Sequence, residues 1–307
     1  MIFQSITEHI NNTPLIELKK IYKGKGQLFA KMEHIQPGGS VKDRAALQII
    51  KDAYSDGRLV KNQPVIEQTS ENMGAGLAVV CLAFANPFTA VMSIGNSPER
   101  VKIIKALGAD VIFIPQADGE PGKVTGADIS KAQEEAIEIA KKINAFYVDQ
   151  FNNPSSVKAH YLNTGPELLS DLNNKLTAFV AIVGSGGTFI GTSRYLKEKS
   201  RSINCIAVEP ENSAIIKTGV VKDSKHIIQG TGYGLIPPQW DNSLVDDIIT
   251  ISDEEASRTK ELLGKEEGLF VGYSAGANVA AAIKHLEQVN RDNYCVATVL
   301  CDTGFKY

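Results

Sequence analysis

The sequence predicts an α/β protein of two domains, each built on a largely parallel sheet flanked by helices. Strand-like and helix-like segments alternate along most of the chain, and three of the strand-to-helix junctions are rich in glycine and hydroxyl residues. The 307 residues, 43% of them hydrophobic, suffice for one large core or two smaller ones. Such alternation implies crossover helices on both faces of parallel strands, and ligands at the carboxyl ends of those strands.

In chain order, the helical pattern Ala45 to Tyr54 is followed by a β-rich run at Val65 to Gln68, a helix at Gly74 to Ala85 and a strand at Ala90 to Ile94. Helical patterns then run over Pro98 to Leu107, Ile129 to Ile143, Val157 to Leu172 and Ile190 to Glu198. Strands at Asp110 to Ile114, Phe146 to Phe151 and Phe179 to Val183 separate them. Strands follow at Asn204 to Val208 and Ile248 to Ile251, helices at Asp253 to Leu263 and Ala277 to Leu286, and a last strand at Tyr294 to Leu300. No repeat or flexible linker divides the chain. The turn residues Asn152-Asn153-Pro154 mark the expected boundary between an N-terminal domain, 1–151, and a C-terminal domain, 152–307, with a ligand cleft between the two sheets. The segment near 13–35 is a candidate to cross over to the other domain.

A net charge of -3 leaves no electrostatic footprint for nucleic acid or a membrane surface. The N-terminus lacks the pattern of a signal peptide, and no apolar run approaches the roughly 20 residues of a membrane span. Cys81, Cys205, Cys295 and Cys301 lack CxxC spacing and read as reduced core thiols of a cytoplasmic protein. The five histidines are scattered, with no metal-ligand spacing, and no chemistry is assigned to them.

The segment Pro37-Gly38-Gly39-Ser40-Val41-Lys42-Asp43-Arg44 places a lysine at the mouth of a helix. Ser40 is expected to cap that helix, with Asp43 completing a pattern like a capping box. Lys42 then lies in the first turn. There the helix's partial positive charge and any burial favour the neutral amine, a nucleophile able to form a Schiff base with an aldehyde. On residue type alone, a solvated lysine beside a cap is the ordinary expectation.

Three junctions suit different parts of one ligand. Gly184-Ser185-Gly186-Gly187-Thr188 follows an apolar run and precedes a helix, so backbone amides, hydroxyls and the helix dipole can cradle a phosphate; a plain tight turn also explains it. The residues Thr69-Ser70-Glu71-Asn72-Met73 lead from a strand into a helix and offer donors for a carboxylate. In Gly272-Tyr273-Ser274-Ala275-Gly276, Ser274 taken alone reads best as a helix cap.

Taken together, PGGSVKDR, TS-x-N, QFNNP, GSGGT, GTGYGLIP, GYSAGA and the closing DTG resemble the cysteine synthase and cystathionine β-synthase family. The resemblance runs from Asn12-Thr13-Pro14-Leu15 to Asp302-Thr303-Gly304. It implies the tryptophan synthase β-like architecture, fold type II, with pyridoxal 5′-phosphate in the interdomain cleft. It also implies that Lys42 forms the internal aldimine and moves the α-proton, and that Gly184, Ser185, Gly186, Gly187 and Thr188 hold the phosphate. Asn72 is implied to meet the cofactor's 3′ oxygen and Ser274 its pyridine nitrogen, while Thr69, Ser70 and Gln150 hold the substrate's α-carboxylate. Gly230 and Tyr233 fall at the substrate. Tyr233 stands where cystathionine β-synthases carry a tyrosine, and equally reads as a packing aromatic.

A neutral serine at the ring nitrogen makes the ring a weaker electron sink, which favours β-replacement over transamination. The implied reaction joins O-acetyl-L-serine and sulfide into L-cysteine and acetate through an α-aminoacrylate. Alternatives take L-cysteine or L-serine first, releasing sulfide or water and adding water, a thiol or a second amino acid, to form lanthionine, cystathionine or serine. An alternative of another class is a catalytically weak cofactor-binding partner or regulatory protein. The family implies a homodimer. Neither a haem-binding extension nor a C-terminal regulatory pair is expected.

The chain departs from the family's TSGNTG loop at Glu71 and Met73. Met73 removes a hydroxyl. A carboxylate at Glu71 about 6 Å from a bound carboxylate costs roughly 3 kcal/mol at an effective dielectric near 20. The milder expectation is that Glu71 points outward and favours the helix N-terminus; the sharper one is that it weakens or reshapes first-substrate binding, or contacts an amino group of a larger amino-acid nucleophile.

Overall fold

Two parallel sheets account for the alternation. The computed structural model describes residues 2–96, 98–118, 124–223 and 225–307. Its elements are, in order, β1 (Leu15–Glu17), β2 (Gln27–Lys31), α1 (Lys42–Ser55), β3 (Val65–Gln68), α2 (Asn72–Phe84), β4 (Phe88–Ser93), α3 (Pro98–Ala106), β5 (Asp110–Ile114), α4 (Gly126–Ile143) and β6 (Phe146–Tyr147). There follow α5 (Pro154–Ala159), α6 (Gly165–Asp171), β7 (Ala178–Ile182), α7 (Gly187–Lys199), β8 (Asn204–Pro210), α8 (Ile215–Thr218), β9 (Asp247–Ile251), α9 (Asp253–Glu267), α10 (Tyr273–Val289) and β10 (Cys295–Val299).

The four-stranded sheet has the order β5-β4-β3-β6 and is parallel throughout. The six-stranded sheet has the order β1-β2-β10-β7-β8-β9, and only β1 runs antiparallel, against β2. The inner strands β3, β4, β7, β8 and β10 bury both faces and so read as continuous apolar runs, whereas the edge strand β5 is largely exposed. Along β7, Ala178, Val180 and Ile182 enter one core with α9 and α10, while Phe179 and Ala181 enter another with α7. In the smaller sheet, Val65 and Ala90 pack with α1 and α2, whereas Ile66 and Val91 meet Ala132, Ala136 and Ala140 of α4.

The segment near 13–35 supplies β1 and β2, and β2 pairs in parallel with β10 near the end of the chain. Neither strand is evident from the sequence: β1 has three residues, and β2 begins at an exposed Gln27 and ends at Lys31, which is buried only because it is ion-paired. The strand expected over Phe146 to Phe151 stops at Tyr147, because Asp149 turns the backbone to φ 55. The helix expected over Val157 to Leu172 is α5 and α6 joined by a π turn at His160–Thr164. Pro166, which has no N–H and crowds the preceding turn, lies just beyond it.

Helix α1 is locked by a buried ion cluster. Arg44 Nε and Nη2 donate to the two carboxylate oxygens of Glu33 at 2.7 Å, and its Nη1 and Nη2 reach Glu167 on α6 at 2.6 and 2.7 Å. Thr13 and Gln36 donate to the remaining positions on Glu33. The Lys31 ammonium lies 2.9 Å from Glu167. This cluster fixes the helix whose first residue is Lys42.

Candidate active site

Lys42 opens α1, but without the expected cap. Val41 occupies the cap position, and Ser40 Oγ accepts a 3.3 Å bond from the Lys42 backbone N–H. Asp43 makes no capping box: its carboxylate turns back to accept from the Gly38 N–H, so it holds the glycine loop in front of the helix. Burial pushes the Asp43 carboxyl up to about 7. Burial also lowers the Lys42 amine, against the opposing pull of Cys301 and Asp302.

Residues 184–188 run from the end of β7 into α7. Gly186 caps this helix at φ 90, a conformation that favours glycine, and a Cβ on Gly184 would lie 2.3 Å from the Gly230 carbonyl oxygen. The Thr188 hydroxyl lies 3.2 Å from Nε2 of His160, a buried ring that burial holds neutral by lowering it to about 3. Glycines that admit a ligand to the backbone, two hydroxyls and the start of a 13-residue helix make a set that fits a phosphate.

Ser274 does not cap its helix. Gly272 occupies that position, and the Ser274 hydroxyl donates to Asp302 at 3.4 Å. Asp302 also accepts from Asn72 Nδ2 and from the Tyr307 hydroxyl, each at 2.8 Å. Asn72 is therefore fixed on both sides, since its Oδ1 accepts from Lys306 at 2.6 Å. One Nδ2 hydrogen remains for a ligand.

In the carboxylate loop, Thr69 Oγ1 accepts from the backbone N–H groups of Glu71 and Gly74, both at 3.1 Å, and so shapes the loop itself. Ser70 is half-buried, and Met73 packs into the apolar core around α2. Glu71 does not point outward: it is 2% exposed, 2.8 Å from Arg100 Nε of α3 and 3.4 Å from Lys306 Nζ. Neither carboxylate oxygen has an aligned hydrogen bond among the described residues. Burial raises the Glu71 carboxyl, and the Lys306 and Arg100 cations pull it only part of the way back. The like-charge penalty expected for this loop is therefore countered by two cations that are distant in sequence.

Gln150 is set by a carboxyl beneath it. Glu67 accepts from the N–H groups of Asp149 and Gln150 at 2.8 and 3.4 Å, and Gln150 Nε2 donates to the Gln68 carbonyl at 3.2 Å. Burial pushes Glu67 up to about 8. The Tyr233 ring meets Phe151 edge-on at 5.7 Å, and burial raises its hydroxyl to about 12, so it both packs and lines the site.

Every site residue expected from the sequence lines one cleft. It extends from Lys42 and the 69–73 loop to the 184–188 loop, Gly230, Tyr233 and Ser274. Arg100, Cys301 and Tyr307 also line it and were not foreseen, nor were Asp302 and Lys306 as its buried supports. Arg100 lies in no glycine-rich motif, and Lys306 and Tyr307 are separated from it by some 200 residues of chain. Only the closing DTG hinted at that end. Cys301, read as a core thiol, is on the cleft wall, and burial raises it to about 12. Among the described residues there is no cluster that could hold a metal ion, and no helix long and apolar enough to cross a membrane.

An amine lowered by burial, a glycine cradle at a helix start and a hydroxyl on a third junction together define a site for an aldehyde cofactor bearing a phosphate. The chain belongs to the family of pyridoxal-phosphate dependent enzymes, whose pattern matches residues 6–302. It is 38% identical over 306 residues to cysteine synthase B of Campylobacter jejuni, covering 100% of this chain and 97% of that protein. A hydrogen sulfide-producing enzyme of Fusobacterium nucleatum superposes with a TM-score of 0.92 at 35% identity, covering 100% of this chain and 98% of the other. The O-acetylserine dependent cystathionine beta-synthase of Helicobacter pylori does so with a TM-score of 0.91 at 36% identity, covering 100% and 97%.

Proposed function

We propose that this protein catalyses β-replacement on a serine-type amino acid, with O-acetyl-L-serine and sulfide giving L-cysteine and acetate as the leading reaction. One observation carries the reading: Lys42 and all three glycine-rich junctions open onto a single cleft. Relatives over the full chain length include a cysteine synthase and an O-acetylserine dependent enzyme, which supports the choice of first substrate.

Pyridoxal phosphate, when bound, supplies an aldehyde for an amino group and a ring that draws electrons from the substrate's α-carbon. The loop 184–188 would hold its phosphate, with Ser274 at its ring nitrogen and Asn72 at its 3′ oxygen. Lys42 Nζ, whose neutral form is favoured by burial, would be the group to hold the aldehyde and, when free, the base placed to take a proton from the substrate's α-carbon. Thr69 and Ser70 orient the α-carboxylate together with Gln150, which Glu67 fixes from below. The reading includes two domains divided near residue 152, a cytoplasmic location and a homodimer; sedimentation tests the last.

The test is to mix the holoenzyme with O-acetyl-L-serine, L-serine and L-cysteine in turn, follow the cofactor's absorbance and identify products by mass. O-acetyl-L-serine is expected to give the largest spectral change and, with sulfide, cysteine. A larger response to L-cysteine with sulfide release would move the assignment to the alternative first substrate. No response to any of the three would overturn the reading. Lys42→Ala is expected to lower turnover by at least about 10³-fold, the scale of losing a positioned base.

A further inference from the structure

Residues 302–306 lace together the loops that carry Lys42, Asn72 and Ser274, although they belong to none of them. Asp302 pairs with Ser40 and Thr303 with Val271 across isolated bridges, and the Thr303 N–H donates to the Gly39 carbonyl at 3.1 Å. On the other side, the N–H groups of Gly272 and Gly304 donate to the carbonyls of Asp302 and Phe270, each at 3.0 Å. Gly39 admits this segment. It has φ 75, and a Cβ there would lie 3.1 Å from Thr303 Cγ2 and 3.3 Å from Lys306 Cε. A single 3-10 turn at Gly304–Lys306 then sends the Lys306 side chain inward, where it is 2% exposed. Its ammonium has three hydrogens and faces three acceptors: the Gly38 carbonyl at 2.9 Å, Asn72 Oδ1 at 2.6 Å and the Glu71 carboxylate at 3.4 Å.

The two ends of an asparagine amide have nearly the same shape, so its neighbours decide which end meets a ligand. At Asn72 both neighbours are unambiguous. An ammonium only donates, which places Oδ1 at Lys306, and the Asp302 carboxylate accepts one Nδ2 hydrogen at 2.8 Å. A flipped amide would set its NH2 against an ammonium and its oxygen against a carboxylate. Asn72 is half-buried on the cleft wall, with its second Nδ2 hydrogen left for a ligand. A buried ammonium also needs a partner of opposite charge, and Glu71 supplies one where the family's TSGNTG loop has its first glycine. We propose that Lys306 is a positioning residue for the reaction, acting through Asn72, which it presents as a hydrogen-bond donor to the cofactor's 3′ oxygen. This rests on the cofactor site of the β-replacement reading and adds to it a residue from the far end of the chain.

In the test, holoenzyme is prepared as wild type, Lys306→Met, Asn72→Ala and the double variant, and the absorbance of the bound cofactor is recorded without substrate. A donor at the 3′ oxygen favours its ionised form, which absorbs in the visible, over the protonated form, which absorbs in the near ultraviolet. Lys306→Met is expected to lower the ratio of the visible to the near-ultraviolet band about tenfold, the scale of one charged hydrogen bond. Asn72→Ala should lower it by a similar factor, and adding Lys306→Met to Asn72→Ala should lower it no further. If Lys306→Met does not fold, Lys306→Gln is read in its place against the same expectation, since an amide that can itself flip does not dictate the orientation of Asn72. An unchanged ratio, or an equal drop with and without Asn72, overturns the role of Lys306 alone. A wild-type protein that takes up the cofactor yet responds to none of O-acetyl-L-serine, L-serine and L-cysteine overturns β-replacement and leaves the ratio to decide on Lys306. One that takes up no cofactor overturns both.

Discussion

The molecule buries two clusters of carboxylates and cations, and they are built on opposite terms. Around Arg44, both oxygens of Glu33 and both of Glu167 receive short, aligned hydrogen bonds. Although burial pushes Glu33 upward, Arg44 overrides it and holds the carboxyl down at about 2. Around Glu71, the cations stand at 2.8 and 3.4 Å without aligned hydrogen bonds, and Lys306 divides itself between Glu71, Asn72 and the Gly38 carbonyl. There burial wins, and the carboxyl is raised. A buried charge network is strongly stabilising only when each member is satisfied, and an incompletely satisfied one contributes little. The first cluster lies behind Lys42 and fixes its helix; the second lies on the wall of the cleft.

The largest expected effect breaks the satisfied cluster. Arg44→Ala leaves Glu33 buried without its partner and should cost roughly 3–5 kcal/mol, measured by urea unfolding. A loss below about 1 kcal/mol would show that the cluster is no lock.

The next tests the pH sign of the clusters. Glu33 has its folded-state value lowered from 4.5 to about 2, so its stabilisation is present above pH 4.5 and is lost as pH falls through 2. Glu67, under Gln150, is raised from 4.5 to about 8, so the stability linked to it is full below pH 4.5 and declines as pH rises towards 8. Glu67→Gln should flatten that decline by on the order of 5 kcal/mol in unfolding titrations between the two pH values. An unchanged slope would place the decline on other groups.

The smallest effect belongs to the incomplete cluster. Glu71→Gln should change stability by no more than about 1 kcal/mol, because the carboxylate it replaces is poorly satisfied where it is. A loss of 3 kcal/mol or more would make the two clusters alike after all.

Much of the site was legible because its parts are local. A strand end, a few glycines or hydroxyls and a helix start recur three times, and the backbone at each needs only its own short sequence to form. The lysine beside Pro37-Gly38-Gly39 was legible for the same reason. Capping was misjudged at Ser40 and Ser274: the Ser40 backbone bridges to Asp302 and the Ser274 hydroxyl donates to the same residue, which follows β10, and a neighbour distant in sequence can outweigh the local cap. Met73 reads as a lost hydroxyl in the sequence and proves to be a core residue as well.

The sequence by itself determined the alternating α/β fold, the cofactor cradle and the lysine, since hydrophobic period and turn chemistry act over a few residues at a time. Only the tertiary structure decided the charge on the carboxylate loop. Whether Glu71 repels a substrate depends on Arg100 from α3 and Lys306 from the end of the chain, and Coulomb energy depends on distance and burial in space, neither of which is written at Glu71 itself.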